Sequence, residues 1–371
     1  MLPPYSIENW KRWSAEHVNW ITVEYPIFTD CHVTGEIRNG LGPYMVLNAV
    51  SLPLGRELTP ALVLRVDYPP PSTKRYQMKK TDDSRYHGGS MVDELCALVC
   101  LCMGARMKPG KSIRTFDCGG DPKGRPEAFE AITSFQPSPF RTPILPDATG
   151  IHSLDLALRC RELPQLPDEG AVALIRAARL YQDGLWIAES QTSLAWVMLV
   201  SALETAANHW RITEESPVER MHISQPKIAS LLNEVGGEEH LAAVAALMAP
   251  YMGATKKFID FSLAFLPEPP VERGPEYARI DWSPTALKKS LSIIYEYRSK
   301  ALHGGTPFPV PMLMPPHAEA HKYAEKPIGL ATYSHGGTWL AKDVPMFFRT
   351  FEYITRQVLL KWWDSLVIQP Q

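Results

Sequence analysis

The chain has 371 residues, 45% of them hydrophobic and 21% charged, with a formal net charge of −2. That length exceeds one typical core and suits two domains. The charge balance excludes a globally basic nucleic-acid binder, so such contact needs a local patch, and no apolar run reaches the ~18 residues of a membrane helix.

The opening, "MLPPYSIENWKRW", has neither the apolar core nor the small-residue cleavage site of a secretory signal. Trp10, Trp13 and Trp20 read as core or strand-packing residues. Residues 20–28, 43–52 and 61–69 are rich in Val, Ile, Leu and Tyr between Gly, Pro and Asn, which predicts strands. A polar loop follows at 69–92. It concentrates Lys74, Arg75, Lys79, Lys80 and Arg85 beside tyrosines, a pattern suited to single-stranded nucleic acid, although a solvated loop partly neutralised by Asp82 and Asp83 is the simpler reading.

The spacing predicts a helix over 92–107. It carries Cys96, Cys100 and Cys102, which read as buried free thiols. With Cys31, Cys118 and Cys160 the total is six. No spacing suggests a disulfide framework, and the chain reads as cytoplasmic. "ARMKPGKS" (105–112) has relaxed P-loop spacing, but a helix-like run precedes it and little room for a helix follows, which argues against nucleotide binding. Prolines from 136 to 167 mark a linker or irregular closing segment.

The remainder predicts helices. Residues 168–184 have Asp168 and Glu169 in the first turn and Gly184 at the end. Residues 187–210 are strongly apolar and belong in the middle of a bundle. Residues 237–266 hold one or two helices, broken near Pro250 and Gly253. A helix over 283–305 starts at Ser283–Pro284 and stops at Gly304–Gly305. After a Pro-rich excursion at 306–316, the stretch 344–366 closes the chain as another apolar helix. The expected fold is an α+β N-terminal domain (1–160) of unknown role followed by an all-α helical bundle (165–371).

On the helix ending in "SIIYEYRSKALHGG" (292–305), Leu287, Leu291, Ile294 and Leu302 share one stripe and Arg298 falls inside it. A guanidinium there needs an anionic or hydrogen-bonding partner. His303 falls near the polar face, about 140° from Arg298. An Arg and a His at a helix end also commonly cap carbonyls and complement the helix dipole.

"YRSKALHG" (297–304) is similar to the motif of the HEPN superfamily. It is closest to the Apea-like HEPN group, whose motif helix often reads Tyr-Arg-Ser, a short apolar run and His-Gly. "WVMLVSALETAANHW" (196–210) resembles that group's "ALE" core helix, and "FFRTFEYITRQVLLKWW" (347–363) its terminal helix. The resemblance spans roughly 165–368 and makes the back half a HEPN-like helical bundle. It implies a metal-independent endoribonuclease acting as a homodimer in a toxin or antiviral defence setting. In that chemistry the RNA 2′-hydroxyl attacks the adjacent phosphate. His303 serves as general base or acid, since imidazole titrates near neutrality. Arg298 holds the phosphate and stabilises its developing charge, and Ser299 orients one of the two. Many family members have Asn or Asp where Ser299 stands; its hydroxyl can hydrogen-bond but brings no charge. The implied partners are RNA, a second copy of the chain and a trigger or inhibitor that the sequence does not name. No cofactor or metal is implied. HEPN-like bundles also serve as non-catalytic dimerisation modules or as sensors of ligands or nucleic acid.

Two further stretches carry chemistry-bearing residues. "HGGS" (87–90) is like an esterase oxyanion segment, but no G-x-S-x-G elbow accompanies it. "HAEAH" (317–321) spaces two histidines one helical turn apart without the zinc-protease glutamate position, and reads as a surface turn.

Overall fold

The computed structural model describes residues 2–15, 20–49, 60–69, 81, 86–117, 120, 140, 142–210, 216–249, 252–319, 322–329 and 331–367. Helix α1 (Tyr5–Ala15) leads into strands β1 (Ile21–Phe28), β2 (His32–Thr34), β3 (Ile37–Leu41), β4 (Tyr44–Asn48) and β5 (Pro60–Tyr68). Helix α2 (Met91–Met103) is followed by β6 (Lys108–Pro109), β7 (Arg114–Asp117) and β8 (Ile151–Ser153), then by a 3-10 segment, Leu154–Gln165. The strands expected over 20–28, 43–52 and 61–69 are β1, β4 and β5.

A six-stranded sheet runs in the order β3-β4-β5-β1-β6, with β7 also paired to β1, and all of its pairings are antiparallel. A separate parallel pair joins β2 to β8. Glu24, in the central strand β1, is fully buried, and its cross-strand neighbours are Arg65 on β5 and Arg114 on β7. Arg65 Nε donates to Oε1 at 2.8 Å, and Arg114 Nη2 donates to the same oxygen at 2.9 Å. A carboxylate without these partners would be too costly to bury there.

Helix α2 opens with a Ser90–Asp93 capping box and closes at Gly104, whose φ of 66° places it in the left-handed region that favours glycine. It is buried on nearly every side, as expected of a helix that is apolar all round. Its Glu94 carboxylate accepts from the backbone N–H groups of Tyr5 and Ser6 at 3.3 and 2.8 Å, so it caps the otherwise unsatisfied start of α1. Trp20 is buried and Trp10 packs edge-on against Tyr44 at 5.7 Å, but Trp13 is exposed, contrary to expectation, because it lies on the outer face of α1.

The C-terminal part is mostly helical: α3 (Asp168–Ile187), α4 (Thr192–His209), α5 (Pro217–Ser224), α6 (Pro226–Met248), α7 (Ala254–Ala264), α8 (Pro284–Gly304) and α9 (Phe348–Leu366). It also contains two hairpins, formed by β9 (Ala318–Glu319) with β10 (Lys322–Tyr323), and by β11 (Ala331–Ser334) with β12 (Gly337–Leu340). The all-α expectation is corrected to that extent. Short strands pairing across a tight turn, as at His335–Gly336, leave too few residues for a period to register.

The second half of the proline-punctuated stretch also differs from a linker. Leu154, Ala157, Cys160 and Leu163, each three residues apart, are all buried in the main core. That spacing is the period of a 3-10 helix, which puts one apolar side chain inward per turn.

One buried apolar cluster runs from the sheet (Leu62, Val66) through α2 (Leu98) to α3 (Leu174), α4 (Leu199), α8 (Leu291) and α9 (Phe351). Trp196 of α4 lies at its centre, stacked on Phe308 at 5.3 Å and Phe351 at 4.9 Å, and its indole N–H donates to the Met312 carbonyl at 3.2 Å. Helices α3 and α4 come close at Gly184, where a Cβ would stand 3.1 Å from Leu199. Helices α5 and α6 share a smaller core of their own around Met221, Ala229, Leu241 and Ala245. Among the described residues, no helix is long and apolar enough to cross a membrane.

Candidate functional site

Helix α8 begins where Ser283 accepts from the Ala286 N–H and Pro284 occupies the first turn. It ends at Gly305, whose φ of 63° lets its N–H reach the Lys300 carbonyl. Leu287, Leu291, Ile294 and Tyr295 form its buried face. Leu302, expected on that face, is 49% exposed, while its neighbour Ala301 packs against the core.

Arg298 lies along the edge of the buried face, with 18% of its side chain exposed, and faces Glu204 of α4, with 15% exposed. Arg298 Nη2 donates to Glu204 Oε2 at 2.5 Å, and the Tyr295 hydroxyl donates to Oε1 at 2.7 Å. The guanidinium carbon stands 5.6 Å from the centre of the Tyr295 ring. Burial, the hydrogen bond to Glu204 and the charge of Glu204 push the Tyr295 hydroxyl up to about 12, so it remains a donor at neutral pH. Arg298 Nε is buried without a hydrogen-bond partner among the described residues. The ion pair therefore occupies one edge of the guanidinium and leaves a second donor unused.

Glu204 and Tyr295 received no role from the sequence. The signal for Glu204 was its position: it is the one carboxylate among the largely apolar residues 194–207, in the "ALE" stretch.

Ser299 is half-buried, and its hydroxyl has no hydrogen-bond partner among the described residues. His303 is exposed on the last turn of α8. Five residues along a helix amount to ~7.5 Å of rise and about 140° of turn. The helix stays regular through Gly304, so a single chain does not bring the His303 ring to the Arg298 face.

A cleft of about 600 Å³ lies beside the end of α8. Ala301, Leu302, Gly305 and Thr306 form one wall, and Ser190 through Leu194 approach from the start of α4. Neither Arg298 nor His303 lines it.

The other sequence candidates are placed as follows. Lys74, Arg75, Lys79, Lys80 and Arg85 lie outside the described residues. In the 105–112 stretch Arg106 is buried between Asp30 and Glu189, at 3.2 Å from each, while Lys108 pairs with Asp183. Helix α2 precedes the stretch and strand β7 follows it, so no helix N-terminus faces a phosphate there. Ser90 of "HGGS" is the N-cap of α2. Ala318 and Glu319 of "HAEAH" belong to a hairpin strand, not to a helical turn, and His321 lies outside the described residues. Cys96, Cys100 and Cys102 are buried free thiols, and burial pushes Cys96 up to about 12, which leaves it unreactive at neutral pH. Compared with protein-family models, curated proteins and solved structures, the chain matches none of them.

Proposed function

We propose that the chain is a metal-independent endoribonuclease of the HEPN type, working as a homodimer in a toxin or antiviral defence setting. The reading rests on the "YRSKALHG" resemblance. The observation that supports it best is Arg298 itself: a guanidinium oriented by Glu204 and Tyr295, with Nε unpartnered, one and a half turns before an exposed His303.

In this mechanism the 2′-oxygen of RNA attacks the adjacent phosphorus and the 5′-oxygen leaves. The products are a 2′,3′-cyclic phosphate and a 5′-hydroxyl. His303 accepts the 2′-hydroxyl proton or donates one to the leaving oxygen. Arg298 stabilises charge on the non-bridging oxygens, and the Ser299 hydroxyl orients one of these groups. Since Arg298 and His303 diverge along one helix, the working cleft joins groups from two copies of α8 across a two-fold axis.

The test is purified protein with labelled RNA in EDTA. Cleavage leaving 2′,3′-cyclic phosphate ends is expected, lost in His303→Ala with an unchanged melting temperature, and with DNA left intact. RNA that stays whole across several sequences and protein concentrations sinks the enzyme reading. It would favour a non-catalytic dimerising or ligand- or nucleic-acid-sensing module. The feature that fits such a module is the neutralisation of Arg298 by Glu204 within its own chain.

A further inference from the structure

A second cleft, of about 840 Å³, opens between the 86–88 segment, α3 and α4. Its lining brings cationic and imidazole groups together. Arg176 and Arg179 project from α3, His209 from α4, and His87 from the segment just before α2. His87 is 3% exposed, and neither of its ring nitrogens has a hydrogen-bond partner among the described residues. A buried imidazole with both nitrogens idle is costly unless something in the cleft engages it.

Among the described residues Arg176 has no carboxylate partner, and the one carboxylate paired with Arg179 is held at long range. Arg176 is exposed, and its Nη2 donates to the Tyr86 carbonyl at 3.2 Å. Arg179 Nη1 forms a long ion pair with Asp93 at 3.8 Å, and this buried nitrogen has no hydrogen-bond partner among the described residues. Two glycines make room for it: Gly88 holds a φ of 93°, and a Cβ at Gly89 would run into the guanidinium. Two carboxylates also line the cleft. Asp183 is neutralised by Lys108, and Glu169 is exposed at the rim. Val172 and Leu180 provide an apolar wall.

We infer that this cleft binds a phosphate monoester bearing an apolar or aromatic body. The dianion faces Arg176 and Arg179, with His87 as a further polar contact, and the organic part lies along Val172 and Leu180. Burial and the neighbouring Arg176 charge push the His87 imidazole down. It is therefore neutral at pH 7, with one N–H to donate and one nitrogen to accept.

The site is independent of the nuclease reading, and calorimetry on the full chain tests it. Phenyl phosphate and 5′-AMP are the probes, with phenol and adenosine as uncharged counterparts and inorganic phosphate as the body-less one. At least one ester should saturate a single site about tenfold or more tighter than its uncharged counterpart and than inorganic phosphate. Arg176→Ala should weaken that binding by about tenfold or more without changing the melting temperature. Asn208→Trp, which fills the cleft from the rim of α4, should abolish it. His303→Ala should leave it unchanged, so loss of RNA cleavage and loss of ester binding are separable. The proposal is overturned if neither ester binds, if phenol and adenosine bind as well as the esters, or if Arg176→Ala binds like the parent.

Discussion

Glu204 of α4 and Arg298 of α8 are joined by a 2.5 Å ion pair across 94 residues of sequence, with Tyr295 donating to the same carboxylate. Both charges are largely shielded, so removing one strands the other. Glu204→Gln should destabilise the chain by about 1–3 kcal/mol, a range reduced from that of a fully buried pair because part of each group meets solvent. A double-mutant cycle with Arg298→Met, read by chemical denaturation, should show favourable coupling between the two. Additive losses would mean that the pair contributes nothing.

If the cleft is shared between subunits, two inactive variants should rescue each other. Arg298→Ala chains mixed with His303→Ala chains would regain about a quarter of parental RNA cleavage under random exchange, since half the dimers carry one intact site. Each variant alone should remain inactive. No recovery in mixtures shown to contain heterodimers would place both groups of a site in one chain.

A pH prediction comes from Glu325. Burial opposes its charge, but two hydrogen bonds from Arg273, at 2.6 and 2.7 Å, the Ile280 N–H at 2.8 Å and the Trp282 indole outweigh it and hold the carboxyl below its usual range. A carboxyl depressed in the folded state favours folding above its unfolded value, near 4.3, and that contribution fades as the pH falls toward the folded value. Glu325→Gln should therefore lower the melting temperature at pH 7. The gap between variant and parent should narrow below about pH 4.

The 3-10 segment offers a test in two neighbouring leucines. Leu154 is fully buried and Leu156 is 53% exposed. Leu154→Ala should cost ~2–5 kcal/mol, and Leu156→Ala no more than ~0.5 kcal/mol. Equal losses would contradict the three-residue register.

Where a single periodicity governs a stretch, the sequence was readable. β1, β4 and β5 follow from apolar and β-branched runs between turn residues, α3 from the chemistry at its ends, α8 from its apolar stripe and end residues, and α9 from its apolar run. The need for a partner at Arg298 was also legible, because a guanidinium on an apolar stripe cannot stand alone. The identity of that partner was not, since nothing local ties residue 298 to residue 204. The same limit hid α1, whose start is satisfied by Glu94 from far along the chain. The stripe over 154–163 is illegible to a helix or strand pattern, because its period of three matches neither and prolines flank it. "HGGS" has the local pattern of an oxyanion segment, while its histidine lines a cleft whose other walls come from helices about 90 and 120 residues away.

The pair α5–α6 has a small interior of its own, and Val235 and Leu247 remain turned to water. With few contacts to the main body, this arm can breathe without disturbing the rest. Its amide protons between 217 and 248 should trade with deuterium well before those of α3 and α4, which only whole-molecule opening would release.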